Sequence, residues 1–216
     1  MARWGMVIDL RKCVGCNACT IACKEVHKVP RNIWRHVLDC GVSEYPERQR
    51  TFLHMTCMHC NKPPCLSVCP TRATYRRSDG IIGIDYDRCV GCSYCIVACP
   101  YRARSIYTRE FDFETRDWDM HEVTEKSDDR TGVCTKCTFC MSRIDEGLER
   151  GLQPGIDAEA TPVCVITCSS GVLHFGDLDD SGSVVSRLIR EHSTARLQEE
   201  LGTEPSIHII LPVETP

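Results

Sequence analysis

The chain has 216 residues, 30 acidic against 26 basic, and a formal net charge of −4; that balance argues against a nucleic-acid partner. No run approaches the roughly 18–20 apolar residues that span a bilayer. Hydrophobic residues make up 42%, with only 5 Phe and 3 Trp beside 18 Cys, so metal sites are expected to supply stability that a thin apolar core does not. An even cysteine count also fits a disulfide scaffold, but that reading suits short secreted chains, and these cysteines fall in tight C-x2-C pairs. Residues 1–6 carry neither a twin arginine nor an apolar leader. The expected location is the cytoplasm or the cytoplasmic face of a membrane; the alternative is the periplasm, by co-export with a signal-bearing partner.

Residues 6–10 are a short apolar run, predicted to be a strand leading into Cys13. Cys13, Cys16, Cys19 and Cys23 follow with the spacing C-x2-C-x2-C-x3-C, and Gly15 suits a loop whose backbone approaches a metal group closely. Residues 24–55 are mixed and polar, broken by Pro30, Gly41 and Pro46. Cys40 stands alone there and is expected to be a small buried hydrophobe. Cys57, Cys60, Cys65 and Cys69 form the next group, with Pro63-Pro64 before Cys65 and Pro70 after Cys69. His59 lies inside this group; with four better-spaced cysteines around it, it is expected to sit behind the ligands or in solvent.

Residues 74–84 contain the Asp-Gly turn of a hairpin between two short strands. Then comes Cys89, Cys92, Cys95 and Cys99-Pro100, again C-x2-C-x2-C-x3-C and here followed by proline, the spacing of a bacterial ferredoxin cluster loop. Three such thiolates wrap one 4Fe–4S cube and the fourth turns away to a second. A structural zinc site would need only C-x2-C pairs. The tetrapeptide C-V-G-C occurs at both 13–16 and 89–92, an internal repeat that strengthens each copy. Arg72, Arg76, Arg77, Arg88, Arg102 and Arg104 bracket these loops; they read first as a solvated face, second as positive charge that offsets cluster charge.

Residues 109–130 are acidic and irregular, an inserted surface loop or a partner contact. Cys137 and Cys140 are followed, after 23 residues, by Cys164 and Cys168. Pro162 stands two residues before Cys164, as Pro63 does before Cys65, so these two groups form a second repeated kind. The segment 147–154 is punctuated by Gly and Pro and reads as a loop. Cys134 makes a competing C-x2-C with Cys137, and Cys137/Cys140 is preferred because it needs the smaller insertion. Residues 183–192 carry Val184, Val185, Leu188 and Ile189 at helical spacing, and 207–211 suggest a final extended segment.

Sixteen cysteines in four groups, the last split by an insertion, resemble the four-cluster electron-transfer subunit of the dimethyl sulfoxide reductase (molybdopterin oxidoreductase) family. The residues that carry the resemblance include 5–10 before the first cysteine, Lys136-Cys137-Thr138-Phe139-Cys140, and Phe175-Gly176-Asp177-Leu178 after the last. It is similar to the iron–sulfur subunits of polysulfide, thiosulfate, sulfite, arsenate and aryl-acyl-CoA oxidoreductases. Ser169 departs from the proline that many relatives carry after the last cysteine.

The resemblance implies an α+β fold of two interleaved bacterial-ferredoxin-like modules, with small two-stranded sheets, short helices and a C-terminal extension. Residues 1–55 and 131–180 would form the outer module and 56–108 the inner one. Residues 109–130 would be the acidic insertion, and 181–216 a helix and extended tail. Crossed ligation would give Cys13, Cys16, Cys19 and Cys168 to one 4Fe–4S cluster, and Cys23, Cys137, Cys140 and Cys164 to a second. Cys57, Cys60, Cys65 and Cys99 would hold a third, and Cys69, Cys89, Cys92 and Cys95 a fourth. The implied partners are a large catalytic subunit carrying a molybdenum or tungsten pterin, reached from the outer module, and a membrane quinone-binding anchor subunit or soluble electron carrier at the inner one.

The chain itself shows no Ser/His/Asp set, P-loop or dinucleotide fingerprint, so no catalytic residue is expected in it. A free-standing polyferredoxin shuttle is the alternative, and a zinc-stapled interaction protein the more distant one.

Overall fold

A computed structural model describes residues 2–29, 33–43, 50–107 and 130–212. The acidic stretch, apart from Arg130, lies outside these residues, as do Pro30 and Pro46. Strand β1 (Trp4–Asp9) is buried along its whole length, as a strand covered on both faces must be. It pairs antiparallel with β8 (Leu173–Asp177) and parallel with β10 (Ile207–Ile210), which in turn pairs with β9 (Thr194–Ala195); the order is β8-β1-β10-β9. Alternate side chains divide the strand's contacts. Trp4, Met6 and Ile8 pack with Phe175, Ile207 and Ile209. Val7 packs instead with Ile210 and Val185, under helix α6 (Val184–Glu191), whose Ser183 side chain accepts the N–H of Ser186 as N-cap. The last segment also reaches the other half of the protein. The Ser206 N–H donates to Met58 O at 2.9 Å, Lys62 N–H to Thr203 O at 2.9 Å, and Asn61 N–H to Glu204 O at 2.8 Å.

Three two-stranded sheets complete the strands: β2 (His36–Val42) with β3 (Arg50–Met55), β4 (Thr74–Arg76) with β5 (Ile82–Ile84), and β6 (Ser105–Ile106) with β7 (Cys134–Thr135). The Asp-Gly turn joins β4 to β5, with Gly80 at φ +83°. The helices are short except for α1 (Ala18–His27) and α4 (Met141–Glu149); α2 (Pro64–Ser67), α3 (Tyr94–Val97) and α5 (Val163–Ile166) are single turns.

Two expectations need correction. Gly147 belongs to α4, not to a loop: a Cβ there would stand 2.3 Å from the Ala160 Cβ, so the glycine is there to let the helix approach residues 158–160. Cys40 is exposed rather than buried, at the irregular end of the β2–β3 pairing.

The sequence repeat is a conformational repeat. Gly15 and Gly91 have φ of +68° and +66°, and the residues two further on, Asn17 and Ser93, have φ of +60° and +64° before α1 and α3 begin. A Cβ at Gly15 would enter the Phe52 ring at 2.4 Å, and one at Gly91 would meet the Gly132 carbonyl oxygen at 2.3 Å. Gly91→Ala should therefore cost more than the about 1–2 kcal/mol of a left-handed backbone alone. Gly151, at φ +74° with nothing within 4 Å, is the control: Gly151→Ala stays within that cost. Thermal unfolding of the two variants side by side checks the difference, and equal losses would count against the close approach.

Candidate metal centres

Two cysteine loops of different kinds meet at each candidate centre. A cavity is lined by Cys69, Cys89, Cys92 and Cys95, with Cys134 as a fifth cysteine. A second is lined by Cys57, Cys60, Cys65 and Cys99. Single-turn helices α2 and α3 place Cys65 and Cys95; Pro64 starts α2 because a proline lacks the N–H that an N-terminal position leaves unbonded. The structure likewise brings the remaining cysteines together in two sets. The charge of Cys13 is felt with those of Cys19, Cys168 and Cys16; that of Cys140 with those of Cys164, Cys137 and Cys23. Among the described residues, no three His, Cys, Asp or Glu side chains converge on a point that would hold a single metal ion.

The donors fit a group that forces thiols into thiolates. Burial, then neighbouring sulfurs, pushes Cys23 and Cys60 up to about 12, so a metal must displace their protons. Buried cations supply the opposite charge. Arg35, Arg104 and Lys136 are 1%, 3% and 1% exposed. Burial works against the Arg35 charge, but the sulfurs of Cys164, Cys19, Cys137 and Cys23 outweigh it and raise its pKa. At Arg104 burial is outweighed in the same way by Cys65, Cys57, Cys134 and Cys95. Among the described residues the Arg35 Nε has no hydrogen-bond partner. A buried guanidinium with sulfurs as its charge partners demands an anionic group nearby, as a thiolate-bound iron–sulfur cluster is.

Hydrogen bonds converge on the sulfurs. Thr74 N–H reaches Cys69 Sγ, Val172 N–H reaches Cys168 Sγ, and Cys134 N–H reaches Cys89 Sγ, each at 3.4 Å. Side chains add His54 Nε2 to Cys13 Sγ at 3.2 Å, His27 Nε2 to Cys140 Sγ at 3.1 Å, and Arg104 Nη2 to Cys65 Sγ at 3.1 Å. Burial, then the Arg35 guanidinium, lowers His54 to about 3; burial, then Arg130, lowers His27 to about 4. At both imidazoles burial and the neighbouring guanidinium favour the neutral form.

Sequence reading missed Arg35, His27 and His54, which lie in the polar stretch between cysteine groups and follow no spacing. Among the bracketing arginines, Arg72, Arg76, Arg88 and Arg102 are exposed, and Arg77 is half-buried with Asp145 and Asp79. Arg104 alone of the six is buried at a centre. His59 is not in solvent: it is buried, stacked on Phe139 with centroids 3.8 Å apart, and its Nδ1 accepts the Ile82 N–H at 3.1 Å.

Cys134 and Cys95 stand with their sulfurs 3.4 Å apart. That contact pulls the Cys95 thiol down and pushes the Cys134 thiol up.

A model of the 4Fe-4S dicluster domain matches residues 49–117. Over 97% of its length the chain is 39% identical to a protein of Halobacterium salinarum described as a dimethyl sulfoxide reductase iron–sulfur subunit, covering 79% of that protein. It is 38% identical to a subunit of the selenate reductase of Mesobacillus selenatarsenatis, over 96% of this chain and 72% of the relative. With one of the chains of the polysulfide reductase of Wolinella succinogenes it shares 36% identity, over 96% of this chain and 94% of the relative.

Proposed function

This protein belongs to the iron–sulfur subunits of the dimethyl sulfoxide reductase (molybdopterin oxidoreductase) family, and from that premise we propose that it carries electrons through four 4Fe–4S clusters to or from a pterin-bearing catalytic subunit. The observation that carries this reading is the pair of cavities, each walled by four motif cysteines from two crossed loops, with Cys134 beside them in one. Their ligands are Cys57, Cys60, Cys65 and Cys99 in one, and Cys69, Cys89, Cys92 and Cys95 in the other. By the same crossing, Cys13, Cys16, Cys19 and Cys168 hold one outer cluster and Cys23, Cys137, Cys140 and Cys164 the second. A 4Fe–4S cluster supplies one-electron transfer at a potential set by charge, hydrogen bonds and exposure. The protein's own residues hold the thiolates apart, exclude water and place positive charge beside them.

Cys16 and Cys92 are exposed, unlike their neighbours Cys19 and Cys95. Exposed apolar side chains surround them: Val14 and Ile21 at the first, Val90, Tyr94 and Val97 at the second. Apolar patches of this kind mark docking surfaces, which supports a catalytic subunit at the Cys16 end. A quinone-binding anchor or a soluble carrier would sit at the Cys92 end. Among the described residues no helix is long and apolar enough to cross a membrane, so a quinone site would belong to another chain. The division into an outer module, 1–55 with 131–180, and an inner one, 56–108, is part of the same proposal.

Anaerobically purified chain should contain about sixteen iron and sixteen sulfide, as four cubes. Iron near eight would mean that one module holds none; zinc without sulfide would sink the reading.

A further inference from the structure

The two halves repeat more than their cysteines. In the β2–β3 pair Val37 faces His54 and His36 faces Met55; in β6–β7 Ile106 faces Cys134 and Ser105 faces Thr135. Arg35 and Arg104 each stand one residue before the first strand of its pair, and His54 and Cys134 each stand three residues before a cysteine loop, at Cys57 and Cys137. Phe52 and Gly132, which press on Gly15 and Gly91, occupy matching positions five residues before those loops. On this frame the two arginines correspond, and so do the histidine and the cysteine.

Their contacts correspond too. Arg35 Nη1 lies 3.0 Å from His54 Nδ1, and His54 Nε2 lies 3.2 Å from Cys13 Sγ. A guanidinium only donates, so Nδ1 accepts, the proton sits on Nε2, and that N–H points at the cysteine sulfur. Arg104 Nη1 lies 3.8 Å from Cys134 Sγ, which lies 3.4 Å from Cys95 Sγ. The Cys134 sulfur accepts from the arginine, and its S–H has two acceptors in reach, Thr135 O at 4.0 Å and Cys95 Sγ at 3.4 Å; the shorter contact is to the sulfur that a cluster would hold as a thiolate.

We propose that Arg35 with His54, and Arg104 with Cys134, are two copies of one tuning device: a buried guanidinium aims a neighbouring side chain so that it donates a hydrogen bond to a cluster sulfur, raising the potential of one cluster in each module. The proposal rests on the ligand sets given above. Reduction adds negative charge to the sulfurs, so a donor aimed at them bonds the reduced state more strongly, and the potential rises. Toward these two clusters the arginines are positioning residues that act through His54 and Cys134; Arg104 also donates directly to Cys65 Sγ, a ligand of the neighbouring centre, at 3.1 Å. The two clusters concerned are those with the exposed cysteines, Cys16 and Cys92, where electrons would enter and leave.

The test is a redox titration followed by electron paramagnetic resonance, with iron analysis on the same full-length, anaerobically prepared chain. His54→Leu and Cys134→Ala should each keep sixteen iron. Each should shift the oxidised-to-reduced ratio of one cluster about tenfold at fixed potential, a midpoint lowered by about 59 mV for one electron. His54→Gln and Cys134→Ser, which restore a donor, should titrate close to the wild type. A merely structural role would not separate the two kinds of variant. Full iron with unshifted potentials in both His54→Leu and Cys134→Ala overturns the proposal while leaving the four-cluster reading intact. Wild-type protein without four clusters overturns that reading instead. If His54→Leu loses iron, Cys134→Ala decides, because it removes only a thiol.

Discussion

Cys137→Ser should strip or convert one cluster of the holo chain, while Cys134→Ser keeps its full iron. The two cysteines stand three residues apart and both are buried, so burial does not separate them; their neighbours do. The Cys140 sulfur feels Cys164, Cys137 and Cys23, which puts Cys137 among thiols of its own set. Cys134 instead lines the cavity of Cys69, Cys89, Cys92 and Cys95, a set already complete without it. Loss of the Cys137 thiolate removes a bond to iron, and iron should fall from about sixteen to about twelve, or to about fifteen if the cube becomes a three-iron cluster. Cys134→Ser exchanges one donor beside Cys95 for another and removes no bond to iron. Iron and sulfide analysis with low-temperature electron paramagnetic resonance would read both outcomes. The reverse pattern, with Cys134→Ser depleted and Cys137→Ser intact, would reassign the ligands.

The second large effect concerns turnover. Made alone, the chain should pass electrons from dithionite to dyes and reduce no substrate, because a cube with four thiolate ligands has no open position for one. Two-electron bond chemistry then falls to a cofactor in the partner. Coupling of a dye or quinol to substrate should appear only with the catalytic subunit present. In that complex Cys13→Ser or Cys16→Ser should take coupled turnover to background, and dyes that reach the partner's own cofactor should still drive it. Vigorous turnover by the cleanly purified lone chain would defeat the proposal, as would coupling that survives both substitutions.

Much of this was legible in the sequence because cysteine loops are local. C-x2-C-x2-C-x3-C prescribes its own backbone, and Gly15 and Gly91 show the same left-handed turn in both copies. The β4–β5 hairpin was legible for the same reason, since Asp79-Gly80 joins strands that are neighbours in the chain. What escaped depends on contacts across the chain. Arg35 and His54 acquire their role only when β2 and β3 pair and carry them to Cys13. Gly147 looked like a loop breaker until Ala160 packed on it. Residues 207–211 read as an extended end, yet β10 lies inside the sheet, because its partner on one side is β1 at the far end of the chain. His59 was left between a place behind the ligands and one in solvent, because nothing in its own segment announces the Phe139 ring that covers it.

The position of β10 orders the protein's birth on the ribosome. Met6 faces Ile207, and at about 5–20 residues per second roughly 10–40 s separate the synthesis of those two residues. Through that interval β1 lacks a neighbour on one side, and the loop at 58–62 lacks the 203–206 segment that binds it. A single late stretch of chain therefore closes both halves at once. Until it emerges, β1 and the backbone at 58–62 lack partners that they hold in the folded chain, so the sheet is complete only once residues 203–210 have been made.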